Sequence, residues 1–176
     1  NVIRLRVVTM EAEPRVLDLT GEDLHKVTHA YGTNGIVTEV EMPLTAAYDW
    51  IDVIGGFDDF MGAARYGNAL ARQDGILTKL ITPIAAPVPY RYFKRHQRFL
   101  REDQSVCVVM VAPHAHDAFL AFTRRTGGTV VYDASALDAA ERKGIPPAYE
   151  LAWNHTTLRA LRVDPVDGHV LGEHRV

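Results

Sequence analysis

Cysteine is almost missing from this chain. One residue, Cys107, in 176 excludes an internal disulfide framework and any multi-cysteine metal site, and makes a reducing cytoplasm the expected compartment. Long apolar runs are missing too. None approaches the ~18–20 residues of a membrane-spanning helix, so no membrane span is expected. Cationic excess is also absent. The 19 Lys and Arg stand against 22 Asp and Glu, for a net charge of −3, which gives no overall pull towards nucleic acid. Internal repeats and low-complexity tracts are not found. What is present is globular: 47% hydrophobic residues exclude wholesale disorder. The length suits one ordinary domain, or a small domain carrying part of another.

The chain opens as Asn1-Val2-Ile3-Arg4-Leu5-Arg6-Val7-Val8, already in strand-like alternation and without an initiator Met. An unpaired strand end leaves backbone donors unsatisfied, so the expectation is a portion of a longer polypeptide. A genuine boundary at Asn1 is the other reading. Val2 to Met10 reads as a strand, Glu11-Ala12-Glu13-Pro14 as a turn and Arg15 to Leu19 as its hairpin partner. Thr20-Gly21-Glu22-Asp23 resembles a helix entry, with the hydroxyl as cap and the carboxylates complementing the helix dipole. A short helix through Leu24, Val27 and His29 stops at Gly32. Residues 35–44 then form a strand with Ile36, Thr38, Val40 and Met42 on one face and Val37, Glu39 and Glu41 on the other.

From Tyr48 the pattern is regular. Strands are expected at 50–54, 76–84, 106–111 and 129–132, and helices at 57–72, 90–101 and 117–125. The 57–72 helix should turn Phe57, Phe60, Met61, Ala64 and Ala71 inward. The 106–111 run is continuously apolar, as expected for a central strand buried on both faces or against helices. Without the 90–101 helix, the order is β-α-β-β-α-β. That order predicts an α+β, ferredoxin-like (split βαβ) antiparallel sheet with helices on one face. A short helix over 134–143 and an aromatic, hydroxyl-rich segment over 149–161 follow.

Chemistry concentrates in three places. In Gly32-Thr33-Asn34-Gly35-Ile36-Val37-Thr38-Glu39-Val40, two glycines flank a polar pair ahead of a strand. Glycine lets a ligand approach the backbone closely, and Thr33, Asn34 and free amides are donors for a phosphate or a flavin edge. A helix C-cap followed by a turn accounts for the same residues. This stretch resembles the glycine–x–x–glycine–Ile–(Ile/Val)–Thr–Glu motif of FAD-linked oxidases, the flavoproteins of the vanillyl-alcohol oxidase or PCMH-type superfamily.

The resemblance implies that residues 1–44 are the C-terminal end of an FAD-binding domain and residues 45–176 a ferredoxin-like cap or substrate domain. It further implies that Gly32, Thr33, Gly35, Ile36, Val37 and Thr38 approach FAD, mainly through backbone groups. The family's glycine-rich pyrophosphate loop and its usual covalent flavin site are not among these residues. The partners implied are a small-molecule substrate and the FAD-binding half of the same polypeptide. No His-x-x-x-Gly-x-x-His-type run is present, so no metal is expected.

The second place is Trp153-Asn154-His155-Thr156-Thr157-Leu158. His155 is the candidate proton-handling residue, with Asn154 and Thr156 as substrate-binding residues. Asn154 or Thr156 capping a helix is the competing reading. The third is Tyr90-Arg91-Tyr92-Phe93-Lys94-Arg95-His96-Gln97-Arg98 with Arg101. Its cations and aromatics fit an anionic substrate, with Arg91 or Arg95 as the carboxylate binder, or RNA. Helical spacing instead turns Phe93, His96 and Leu100 inward and the cations to solvent. His114 and His116 read as surface residues before a helix, and Cys107 as a buried, inert thiol.

The expected function is therefore oxidation of a small alcohol or hydroxy acid by an FAD-dependent oxidoreductase. The alternative is a non-enzymatic ferredoxin-like module that binds a ligand or assembles, including as a homo-oligomer, through its sheet edge.

Overall fold

The computed structural model describes residues 2–152. The chain divides between Ala47 and Tyr48 into two compact units. The architecture is α+β, with one antiparallel sheet in each unit. Among the described residues no helix is long and apolar enough to cross a membrane.

The first unit is a three-stranded sheet, β1 (Arg4–Thr9), β2 (Val16–Thr20) and β3 (Gly35–Glu41), in the order β2-β1-β3. Alternation along β1 separates two faces. Leu5 and Val7 are buried opposite Leu19 and Leu17. Arg4 and Arg6 on the other face bind Asp18, Glu39 and Glu41 at 2.7–3.2 Å. These ion pairs raise the arginine pKa values and lower those of Asp18 and Glu39.

The faces of β3 are not those the plain alternation predicts. The register shifts between Arg6 and Val7, so Arg6 faces Glu39 while Val7 faces Val37. The extra residue, Thr38, donates its hydroxyl hydrogen to the Arg6 carbonyl at 3.2 Å. This bulge reverses the parity of the strand, placing Val37 with Val40 on the apolar face and Glu39 with Glu41 on the charged one. The expected helix after Thr20 is a 3-10 segment, Gly21–Lys26, and the Thr20 side chain makes no capping bond.

The second unit begins with β4 (Ile51–Phe57), followed by α1 (Phe60–Leu70), β5 (Thr78–Ile84), α2 (Val88–Tyr92), β6 (Ser105–Val111), α3 (His116–Arg125) and β7 (Thr129–Asp133). Two short helices, α4 (Ala139–Arg142) and α5 (Ala148–Ala152), come after. The strand order is β5-β6-β4-β7, antiparallel throughout. Every residue of β6 is buried, as its unbroken apolar run demands. Pro83, which cannot donate to a ladder, lies on the edge strand β5.

Helix α1 starts three residues later than its apolar spacing indicates. Asp59 caps it by accepting from the Gly62 amide at 2.7 Å, which leaves Phe57 as the last residue of β4. The face turned inward is Ala63, Tyr66, Gly67 and Leu70, while Phe60 and Met61 are exposed. Small residues decide this, because they let the helix approach the sheet: a Cβ on Gly67 would lie 3.2 Å from Ile81 Cγ2. Together with Phe119 and Phe122 of α3, this face packs on Val53, Cys107, Val109 and Val111.

The 90–101 helix is not formed. Helix α2 ends at Tyr92, Phe93 leaves the helical region at ψ 63°, and only Gln97–Phe99 returns to a 3-10 turn. Unwinding lets Phe93, His96 and Leu100 all reach the sheet, and all three are buried; tertiary packing here overrides local helix propensity. The sheet face opposite α1 and α3 is consequently covered as well. Phe93 and Leu100 join Ala148 and Leu151 over Ile54, Val106, Val108 and Met110.

Candidate functional site

In the first unit the glycine turn is exposed and tightly closed on itself. Gly32 has φ +74°, a conformation that favours glycine. Thr33 donates through its hydroxyl to the Ala30 carbonyl at 2.7 Å, and the Asn34 amide donates to the Lys26 carbonyl. The two side-chain donors that the sequence offers to a phosphate are thus spent inside the turn. Gly35 is buried and close to Val7: a Cβ there would sit 2.4 Å from Val7 Cγ1, so packing alone demands a glycine. Beyond it, Ile36, Val37, Val40 and Met42 are all exposed. The segment offers backbone and apolar surface to a ligand, rather than side-chain hydrogen bonds.

In the second unit the polar chemistry lies on the sheet face covered by α2 and α5. Asp52, on β4, accepts from the Ala148 amide at 3.0 Å through Oδ2, while its buried Oδ1 has no partner among the described residues. Burial raises its pKa. The His96 ring meets Tyr132 edge-on at 4.8 Å. Among the described residues its buried Nδ1 has no partner, and desolvation lowers its pKa from 6.5 to about 4. His96 is therefore neutral at pH 7. Tyr132 also contacts Phe99 at 5.2 Å, and burial with the nearby Asp52 charge raises its pKa.

Tyr132 connects this layer to a groove of about 600 Å³ that follows β7. At the end of that strand Asp133 holds two partners. Its Oδ2 lies 2.9 Å from His116 Nε2, and its Oδ1 accepts from the Ser135 amide at 2.9 Å and hydroxyl at 2.6 Å. The carboxylate is central, so this is an aspartate orienting a histidine and pinning a turn. Among the described residues no hydroxyl is presented to the imidazole as a nucleophile would need.

His116 is not a surface residue: its side chain is 14% exposed and tied to Asp133. Arg91 is exposed, with Glu102 3.4 Å away, while Arg95 and Lys94 face solvent. Cys107 is buried, and burial pushes its thiol up to about 12. His155, Asn154 and Thr156 lie outside the described residues. Asp52 and Tyr132 were not singled out by motif, and His116 was read only as a surface residue. Their neighbours are distant in sequence, and a lone Asp in an apolar strand such as Ile51-Asp52-Val53-Ile54 is the one local signal that marks any of them.

No family model matches the chain, and no match to a curated protein was found.

Proposed function

We propose that this chain is the C-terminal portion of an FAD-dependent oxidoreductase of the PCMH-type superfamily. Residues 1–44 complete the FAD-binding domain and residues 45–176 contribute a ferredoxin-like cap. Support for the cap comes from the β-α-β-β-α-β order joined to the strand order β5-β6-β4-β7. The observation that carries the reading is the turn at Gly32, which leads into a strand whose Ile36, Val37 and Val40 side chains are exposed. A soluble sheet leaves such a surface open when something else packs on it.

FAD fits this segment through the backbone around Gly32 and through Ile36 and Val37, with Thr38 at the bulge; Thr33 contributes its main chain. When bound, the flavin supplies the hydride acceptor for oxidation of a small alcohol or hydroxy acid. His155 is the residue assigned to take the substrate proton, and Asn154, Thr156 and Arg91 are assigned to orient the substrate. Arg91 exchanges Glu102 for a substrate carboxylate in this reading.

The test is the visible absorbance of the longer polypeptide that this reading requires, compared with its Ile36→Glu variant. A flavin spectrum that is lost or strongly reduced in the variant, with the fold retained by circular dichroism, is the expected result. A colourless protein that takes up no added FAD overturns the proposal and leaves a ferredoxin-like binding module.

A further inference from the structure

Strand β7 pairs with β4 on one side, and its other side borders the groove. The groove is not a rounded cavity. Six consecutive residues, from Gly128 to Asp133, line its floor, so its long axis is the strand itself. Leu120 and Arg124, one helical turn apart on α3, form one wall, and Phe99 and Leu137 contribute to the other. A sheet edge lying between a helix and an apolar wall is the geometry in which an extended peptide adds as a further strand.

The charges on the walls narrow the occupant. Arg124 is exposed, and among the described residues its side chain makes no hydrogen bond or ion pair. Asp133, the acid in the groove, already has both oxygens engaged by His116 and Ser135. The groove therefore presents one unanswered charge, and it is positive. Alternate side chains of an added strand point to opposite sides, so one set meets Leu120 and Arg124 and the other meets Phe99 and Leu137.

We propose that the β7 edge binds an extended polypeptide segment in which acidic residues alternate with apolar ones, the acids facing Arg124. This site lies within the second unit and is independent of the flavin reading: it stands or falls without FAD.

The probe is a short capped peptide alternating valine with glutamate, compared with its valine–lysine counterpart and titrated into the 176-residue chain. Amide resonances of Thr129 to Asp133 are followed by NMR together with their hydrogen exchange. The expected result is chemical-shift change and slowed exchange confined to β7 and the walls, with the glutamate peptide preferred about tenfold. Arg124→Glu, a substitution at an exposed position, reverses that preference while leaving the spectrum of the remaining sheet intact. Equal binding of the two peptides, or shifts located elsewhere, overturns the proposal. So does protection, before any peptide is added, of the β7 amides that do not pair with β4: with dimerisation in sedimentation the occupant is a second copy, and without it the chain covers its own edge.

Discussion

His96 gives the sharpest link between sequence, burial and measurable energy. Its side chain is buried at 1% exposure against Tyr132, with no partner for Nδ1 among the described residues. Burial lowers its pKa from 6.5 to about 4. The unfolded chain therefore binds a proton at pH values where the folded chain does not. Stability rises with pH across that window, and it falls as the pH drops from about 6.5 towards 4.

With each pKa unit worth about 1.4 kcal/mol, this one residue removes roughly 2.5 kcal/mol of stability between pH 7.5 and 4.5. The assay is urea unfolding of the wild-type chain and of His96→Leu and His96→Gln at both pH values. The fluorescence of Trp50, which lies after the division at Ala47, reports on the second unit. Asp52 titrates with the opposite sign, because its raised pKa favours the folded state at low pH. It is present in all three proteins and cancels in the comparison. Each variant should lose about 2.5 kcal/mol less than wild type on acidification. A difference under about 0.5 kcal/mol in both variants would refute the claim that His96 is buried as the neutral form.

Further predictions rest on single contacts. Tyr66→Phe removes the 2.7 Å hydrogen bond to Thr123, whose hydroxyl still donates to the Phe119 carbonyl; the expected loss is about 1 kcal/mol by urea unfolding. Gly128→Ala places a Cβ 2.9 Å from Phe57 Cζ and 3.0 Å from Thr123 Cγ2, and should destabilise by about 1–3 kcal/mol. Asp138→Ala breaks the capping box formed with Glu141, with an expected loss of about 1 kcal/mol for α4, seen as faster amide exchange at Glu141 and Arg142. Cys107 should resist a thiol reagent at pH 8 until urea unfolds the sheet; reaction at the rate of a free thiol in the native protein would contradict its burial.

Periodicity alone located every strand of the second unit, because runs such as Val106-Cys107-Val108-Val109-Met110-Val111 suit a strand buried on both faces. It also identified the glycine-flanked turn before β3. What it missed depended on partners remote in the chain. The Thr38 bulge arises from pairing with β1, 32 residues away, and it reversed the side-chain parity read from β3 alone. The start of α1 followed its Asp59 cap and the fit of Gly67 on Ile81, although Phe57 and Phe60 continue the helical spacing.

The largest departure is the 90–101 segment. Its spacing marked Phe93, His96 and Leu100 as the inward residues, and all three are buried, but nothing local says that the chain must unwind for them to reach the sheet. Only the packed face could decide that, and unwinding was its consequence. The same holds for the groups with the most chemistry. Asp52 meets the Ala148 amide 96 residues away, and His116 meets Asp133 across 17. The sequence determined the α+β class, the order of strands along the chain and which residues seek burial, because apolar periodicity is a local property. The tertiary structure decided strand register, which segments cover the second face and the charge state of its buried groups, because pairing and desolvation depend on neighbours that sequence distance does not reveal.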